Sequence, residues 1–307
     1  MKGRLCWALA ALVVSLTCPV RAEPLKLVVD GVEREYLLHV PSALPAAQAV
    51  PLVLVFHGGG GTAAGMMALT RFNALADRER FLVAYPQGIG KGWNDGRITQ
   101  VSLAHRDNVN DLTFIDALLA HLSRQFRIDP RRVFATGISN GGIFSHYLAA
   151  SRAEKIAAIA PVAGGIAQPF DQVFRPAAPV SVLIIQGTAD PLVPYAGGRI
   201  AEAGGRDRGS IVATDAAVNL WVRANATRRQ PETGSLPDRD PSDECRTQVF
   251  AWNGGTAGSA VWLYRVEGGG HTWPGGTQYL PRRFIGAVTH DFDSAAIWEF
   301  FRQHPKP

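Results

Sequence analysis

The chain has 307 residues, 47% of them hydrophobic and 19% charged, enough apolar material for a full core and too much for a disordered chain. Its formal net charge of +5 owes much to the first residues, where Lys2 and Arg4 precede the short apolar run 5–18 and Ala22 offers the small residue that signal peptidase prefers. Cleavage after Ala22 is expected; it removes Lys2, Arg4 and Arg21, leaves 23–307 as a near-neutral single catalytic domain, and excludes nucleic acid as a partner.

Of the three cysteines, only Cys245 outlasts that cleavage, so no intramolecular disulfide framework is expected. No other apolar run is long enough to anchor the product stably in a membrane. The expectation is a secreted protein, periplasmic or extracellular, with a monomer plausible and the oligomeric state not legible in the sequence.

"LKLVVDGVEREYLLHV" predicts an opening β-hairpin around Asp30-Gly31, a pair suited to a type I′ turn. Then come "PLVLVF" (51–56), "FLVAYP" (81–86), "RVFATG" (132–137), "IAAIAPVAG" (156–164) and "VSVLIIQG" (180–187). Each is apolar on both parities, as strands covered on both faces of a parallel sheet must be. Helical spacing intervenes. Leu69, Phe72, Leu75 and Ala76 predict one helix, and the run from Leu112 to Phe126 a second, with Asp111 as its N-cap. "TQVFAW", "AVWLYRVE" and a helix near "DSAAIWEFFRQH" close the chain, and His290 is expected to cap that last helix. The alternation predicts an α/β fold with a mostly parallel central sheet and helices on both faces. Two segments, 196–210 and 227–246, exceed ordinary loop length and read as functional rims or mobile decoration.

Gly137-Ile138-Ser139-Asn140-Gly141 fits G-x-S-x-G, and it stands where the motif must stand, after a strand and at the start of a helix. There a strained turn exposes the serine hydroxyl, and glycines two residues to either side relieve crowding. A serine needs a base oriented by an acid, and in this architecture both follow it in the chain. Asp190 lies three residues past an apolar strand, and His271 follows a strand and three glycines. Ser139, Asp190 and His271 are therefore the expected catalytic triad. The oxyanion hole is expected from the backbone N–H of Asn140 and from "HGGGGT" (57–62), with Gly59 the first choice and Gly60 the second. The same loop lacks the Gly-Lys-Ser/Thr ending of a phosphate loop. Trp93 and Trp273 sit in loops beside the expected site and are assigned to the substrate cleft. Histidines at metal-binding spacing and cysteine pairs are both missing, so neither a metal nor another cofactor is expected.

"HGGGGT", "GWNDGR", "GISNGG", "GTADPLVPY" and "EGGGHTWPG" together resemble the secreted polyhydroxybutyrate-depolymerase-like esterases and their feruloyl-esterase relatives, from about Leu52 to the closing helix. The resemblance implies an α/β-hydrolase fold, a serine carboxylic-ester hydrolase without cofactor, and an ester as partner: a polyester oligomer, or a short-chain or aryl ester. The alternatives are a feruloyl or acetyl esterase acting on cell-wall polysaccharide, and a serine peptidase. "RANAT" and "AWNGG" lack the cysteines that often staple such late loops.

Overall fold

A computed structural model describes residues 23–45, 48–201 and 207–307, so the expected signal segment 1–22 lies outside the described residues. β1 (Leu25–Val29) and β2 (Val32–His39) form the expected hairpin. Its turn residues Asp30 and Gly31 have φ of 50° and 77°, the double positive φ that a type I′ turn requires.

The strands that follow are β3 (Val50–Phe56), β4 (Leu82–Pro86), β5 (Ile128–Ile138), β6 (Ala158–Val162) and β7 (Ser181–Gly187). β8 (Gly198–Arg199) and β9 (Ser210–Ile211) make a separate small pair, and β10 (Glu232–Ser235), β11 (Arg246–Trp252) and β12 (Val261–Glu267) complete the set. Ten strands share one sheet in the order β1-β2-β4-β3-β5-β6-β7-β12-β11-β10. The run from β4 to β12 is parallel, and antiparallel strands flank it on both sides.

The two-sided apolar pattern of the central strands has a direct structural meaning. In β3, Leu52, Leu54 and Phe56 enter one core cluster while Val53 and Val55 enter the other, because successive side chains of a strand point to opposite faces. Helices α4 (Asp111–Gln125), α5 (Asn140–Ser151) and α6 (Thr214–Asn225) cover the first face through Phe114, Leu118, Phe144, Leu148 and Trp221. The second face is covered by α1 (Ala63–Thr70), α2 (Phe72–Glu79) and α8 (Ser294–Gln303), through Met66, Phe72, Leu75, Ile297 and Phe300. Short helices α3 (Leu103–Arg106) and α7 (Arg282–Ile285) lie in the loops.

Several local expectations are corrected. The single helix expected through Leu69 and Leu75 is two helices, broken at Arg71 with φ 55°. At the break the Thr70 carbonyl accepts from Ser294 Oγ at 2.6 Å instead of from the next helical turn. Asn110, not Asp111, caps α4; its side chain accepts from Thr113 N–H at 3.1 Å. Asp111 is drawn inward instead, pairing with Arg34 at 2.6 Å in a buried ion pair. The final helix is capped by Asp293, which accepts from Ala295 N–H at 2.8 Å, whereas the N–H of His290 donates to Asp243. The two long segments also contain more order than expected. Within 196–210, Gly198–Arg199 pairs with Ser210–Ile211 as β8 and β9 while 202–206 lie outside the described residues, and 227–246 contains β10, an edge strand of the main sheet.

Candidate active site

Ser139 follows β5 directly and is the N-cap of α5, at φ 58° and ψ −124°. This is a strained backbone for a residue with a Cβ. An N-cap serine ordinarily accepts from an early N–H of its helix; Ser139 makes no such bond, which leaves its hydroxyl available. Two backbone bonds hold the turn: Ser139 N–H donates to Val162 O, and Ser139 O accepts from Ile143 N–H, each at 2.9 Å. The flanking glycines are required by the neighbouring strand as much as by each other. A Cβ on Gly137 would stand 2.7 Å from the Gly141 carbonyl and from Phe56 O, and one on Gly141 would stand 2.5 Å from Phe56 O.

Asp190 and His271 leave the same carboxyl edge of the sheet, after β7 and β12. Their side chains meet, with His271 Nδ1 2.8 Å from Asp190 Oδ2, and both residues are buried. Asp190 Oδ1 accepts the N–H groups of Leu192 and Val193, each at 2.8 Å, and Gln186 Nε2 approaches Oδ2 at 3.3 Å. A carboxylate so held orients an imidazole through Nδ1–H and leaves Nε2 as the basic atom. The backbone of His271 is fixed as well: its N–H donates to Ile285 O at 2.5 Å, and Tyr279 Oη donates to its carbonyl at 2.7 Å. The structure thus brings together Asp190 and His271, and Ser139 stands on the same sheet edge. Ser139 Oγ has no hydrogen-bond partner among the described residues, and the serine–histidine contact commonly tightens only with substrate bound.

Ser139 opens onto a cleft of about 530 Å³ that Gly59, Gly60 and Asn140 also line. Gly60 N–H is already committed to Lys91 O at 2.7 Å, which removes the second-choice oxyanion donor. Among the described residues the N–H groups of Gly59 and Asn140 donate to nothing, and a Cβ on Gly59 would stand 3.8 Å from the Asn140 Cβ. His57 anchors this loop. Its Nε2 accepts Gly88 N–H at 3.0 Å, so the proton sits on Nδ1 and is donated to Gly58 O at 2.8 Å; burial pushes its pKa down.

The substrate-cleft assignment of Trp93 and Trp273 is corrected. They are 0% and 1% exposed, and neither lines the cleft. Trp93 stacks on Phe144 at 5.1 Å, and its indole N–H donates to His57 O at 2.9 Å. The Trp273 indole donates to Ser294 Oγ at 3.0 Å and thereby docks the His271 loop on α8. Both bury the indole and satisfy its one donor, the usual condition for a core tryptophan.

Behind Asn140 is a network that sequence reasoning missed. The Asn140 side chain accepts from Trp93 N–H at 2.8 Å and donates to the buried Asp95 carboxylate at 2.6 Å. Asp95 also accepts from Arg97 and from His105, the closest contacts being 2.7 and 3.0 Å. Burial alone would raise the Asp95 carboxyl, but the Arg97 charge and the bonds from His105 and Arg97 outweigh it and hold the group well below the usual carboxylate range. "GWNDGR" carried the only local sign of this, an acid two residues from an arginine; the link to Asn140 spans 45 residues.

Away from this cleft, Asp240, Asp243 and His290 place ligand atoms within 4.8 Å of one another. Asp243 there is occupied by the N–H groups of Cys245 and His290.

The sequence matches the family described as Esterase PHB depolymerase over residues 34–192, more than half of the chain. The chain belongs to that family. It is an esterase, and its fold is that of the α/β-hydrolase esterases. The family match takes in Ser139 and Asp190 and stops before His271. Among curated relatives, "Putative esterase NocK" of Nocardia uniformis subsp. tsuyamanensis is 33% identical over 276 residues, 88% of this chain and 79% of the relative. Feruloyl esterase B of Piromyces equi is 26% identical over 246 residues, 78% of this chain but only 42% of that longer relative. Among solved structures, an acetyl xylan esterase from Aspergillus awamori has a TM-score of 0.63 at 14% identity, covering 92% of this chain and 99% of that one. The last likeness shows the shared fold alone.

Proposed function

We propose that this esterase is a serine hydrolase exported from the cell, with Ser139 as nucleophile, His271 as base and Asp190 as orienting acid. Its substrates are polyester-type oligomers or short-chain and aryl esters. Ser139 Oγ attacks the ester carbonyl while His271 Nε2 takes its proton. The oxyanion is held by Gly59 and Asn140 N–H; collapse expels the alcohol, protonated by His271. Water then attacks the acyl-serine with His271 again as base, releasing the acid and restoring Ser139.

One observation carries this reading. A serine held at positive φ, its hydroxyl not spent on capping, shares a sheet edge with a buried aspartate–histidine pair. The test is Ser139→Ala on p-nitrophenyl butyrate, with a fluorophosphonate label read in parallel. The variant loses about 10⁴-fold or more in kcat and takes no label; retention of a tenth of the activity contradicts the assignment. N-terminal sequencing of the exported product begins at Glu23 if Ala22 is the cleavage site.

A second reading, a feruloyl or acetyl esterase on cell-wall polysaccharide, draws support from the feruloyl esterases among the relatives. Rates on methyl ferulate, acetylated xylan and amorphous polyhydroxybutyrate separate the two.

A further inference from the structure

The walls of the Ser139 cleft carry one sign of charge. Lys91, Arg97, Arg106 and Arg208 line it, with His105, and among the described residues no aspartate or glutamate does. Arg97 is neutralised from behind by Asp95. The other three cations take part in no ion pair among the described residues. Lys91 and Arg106 are exposed at the rim, where water solvates an unpaired cation at little cost. Arg208 is in a different position. It is half-buried, its Nε is shielded from solvent with no hydrogen-bond partner, and its guanidinium donates to nothing among the described residues. Burial, and secondarily the neighbouring Arg97 charge, push its pKa down.

Among the described residues, the neighbouring acid does not relieve this. Asp207, next in the chain, is exposed and faces Arg199 at 3.6 Å. The Arg208 backbone is fixed too, since its carbonyl accepts from Arg97 Nη1 at 2.6 Å and the Asp207 carbonyl accepts from Thr99 Oγ1 at 2.6 Å. An arginine held in a nucleophile's cleft, partly desolvated and with no counter-charge among the described residues, is half of an ion pair. A planar guanidinium with open donors is best completed by a carboxylate. The surrounding cations raise the local concentration of anions and exclude competing cations.

We propose that the substrates of this esterase carry a free carboxylate, bound by Arg208 while Ser139 attacks an ester carbonyl a few bonds away. This rests on the Ser139 assignment above and narrows it to esters of dicarboxylic or hydroxy acids with one acid group left free. Hydrolysis of such an ester by water yields the alcohol and a second carboxylic acid, and needs no co-reactant. Ile200 and Arg208 then contribute one apolar and one charged contact to specificity.

The experiment compares two p-nitrophenyl esters of equal chain length, the hexanoate and the mono-adipate, at pH 7 and low ionic strength. The ratio of their kcat/KM values is the readout. Wild type favours the mono-adipate by at least tenfold, and added sodium chloride lowers the ratio. Arg208→Gln brings the ratio down at least fivefold, and Arg208→Lys, which keeps the charge but not the fork, falls between. As a check that needs no variant, adipate inhibits hexanoate hydrolysis at lower concentration than neutral 1,6-hexanediol does. A ratio near one in wild type, or one unmoved in a folded Arg208→Gln, overturns the proposal. If hexanoate is hydrolysed and the activity vanishes in Ser139→Ala, such a failure touches the carboxylate alone; if neither ester is cleaved, the esterase assignment of Ser139 fails with it.

Discussion

The Asn140 side-chain amide donates to the buried carboxylate of Asp95 at 2.6 Å. The residue that follows Ser139, whose N–H is the proposed oxyanion donor, is thus clamped by a group from a loop 45 positions earlier. Asp95 also neutralises Arg97 and is bonded to His105, so the clamp is a charged hub inside the protein.

Replacing Asp95 by Asn leaves the Arg97 guanidinium buried without its counter-charge and loosens Asn140. We expect a loss of about 3 kcal/mol in stability and, separately, a fall of about tenfold or more in kcat with KM little changed, since a misaligned oxyanion donor acts on the transition state. Steady-state kinetics below the melting temperature measure the second effect; an unchanged kcat in a folded variant would reduce Asp95 to a purely structural residue.

Gly141→Ala tests the packing of the nucleophile turn. Its Cβ would meet the carbonyl oxygens of both Phe56 and His57, at 2.5 and 2.6 Å, and neither atom belongs to a flexible side chain. A cost of about 3 kcal/mol or more is expected, read as a lowered urea midpoint together with lost activity. Wild-type stability in this variant is incompatible with the close approach.

Trp273→Phe distinguishes a core tryptophan from a substrate wall. The indole N–H bond to Ser294 is lost, so melting temperature falls by several degrees. The ratio of kcat/KM for methyl ferulate to that for p-nitrophenyl butyrate stays within about twofold; a tenfold change in that ratio would return Trp273 to the cleft.

Acid destabilisation has a nameable source. Burial lowers the pKa of His146 from 6.5 to about 3, and Trp221 Nε1 donates to its Nδ1 at 3.0 Å, which fits a neutral ring. The unfolded chain therefore binds a proton that the folded chain refuses. Stability is full above about pH 6.5 and declines as pH falls toward about 3. Asp95, held low in the fold, adds to the loss below the ordinary carboxylate range. The combined effect is on the order of a few kcal/mol. Denaturant midpoints from pH 7 to pH 4 show the slope, and His146→Gln, an acceptor that does not titrate, flattens its upper part; a midpoint constant down to pH 5 argues against this origin.

What could be read from the chain was whatever local chemistry decides. Gly137, Ser139 and Gly141 sit between a strand and a helix, and the steric need for glycine there is set within a few residues. Asp190 and His271 followed from chain order and from strands that end where loops begin. The break at Arg71 carried no sign, because an arginine at positive φ is not marked by composition; Ser294, more than two hundred residues away, takes the carbonyl that would have continued the helix. Asp111 and Asn110 are equally good caps in isolation, and Arg34 decided between them. Trp93 and Trp273 flank the right motifs, but nearness in sequence does not say whether an indole faces solvent or core. Arg208 was passed over as part of a long loop, since its lack of a counter-charge among the described residues exists only once the chain is folded.

The two tryptophans have one more consequence. Trp93 belongs to the core on one face of the sheet, and Trp273 to the core on the other. The proposed nucleophile and its oxyanion donor are braced from the first face, the proposed base from the second. Turnover therefore requires both hydrophobic layers to be in register at once, and loosening either one, even far from the cleft, silences the enzyme before the sheet itself comes apart.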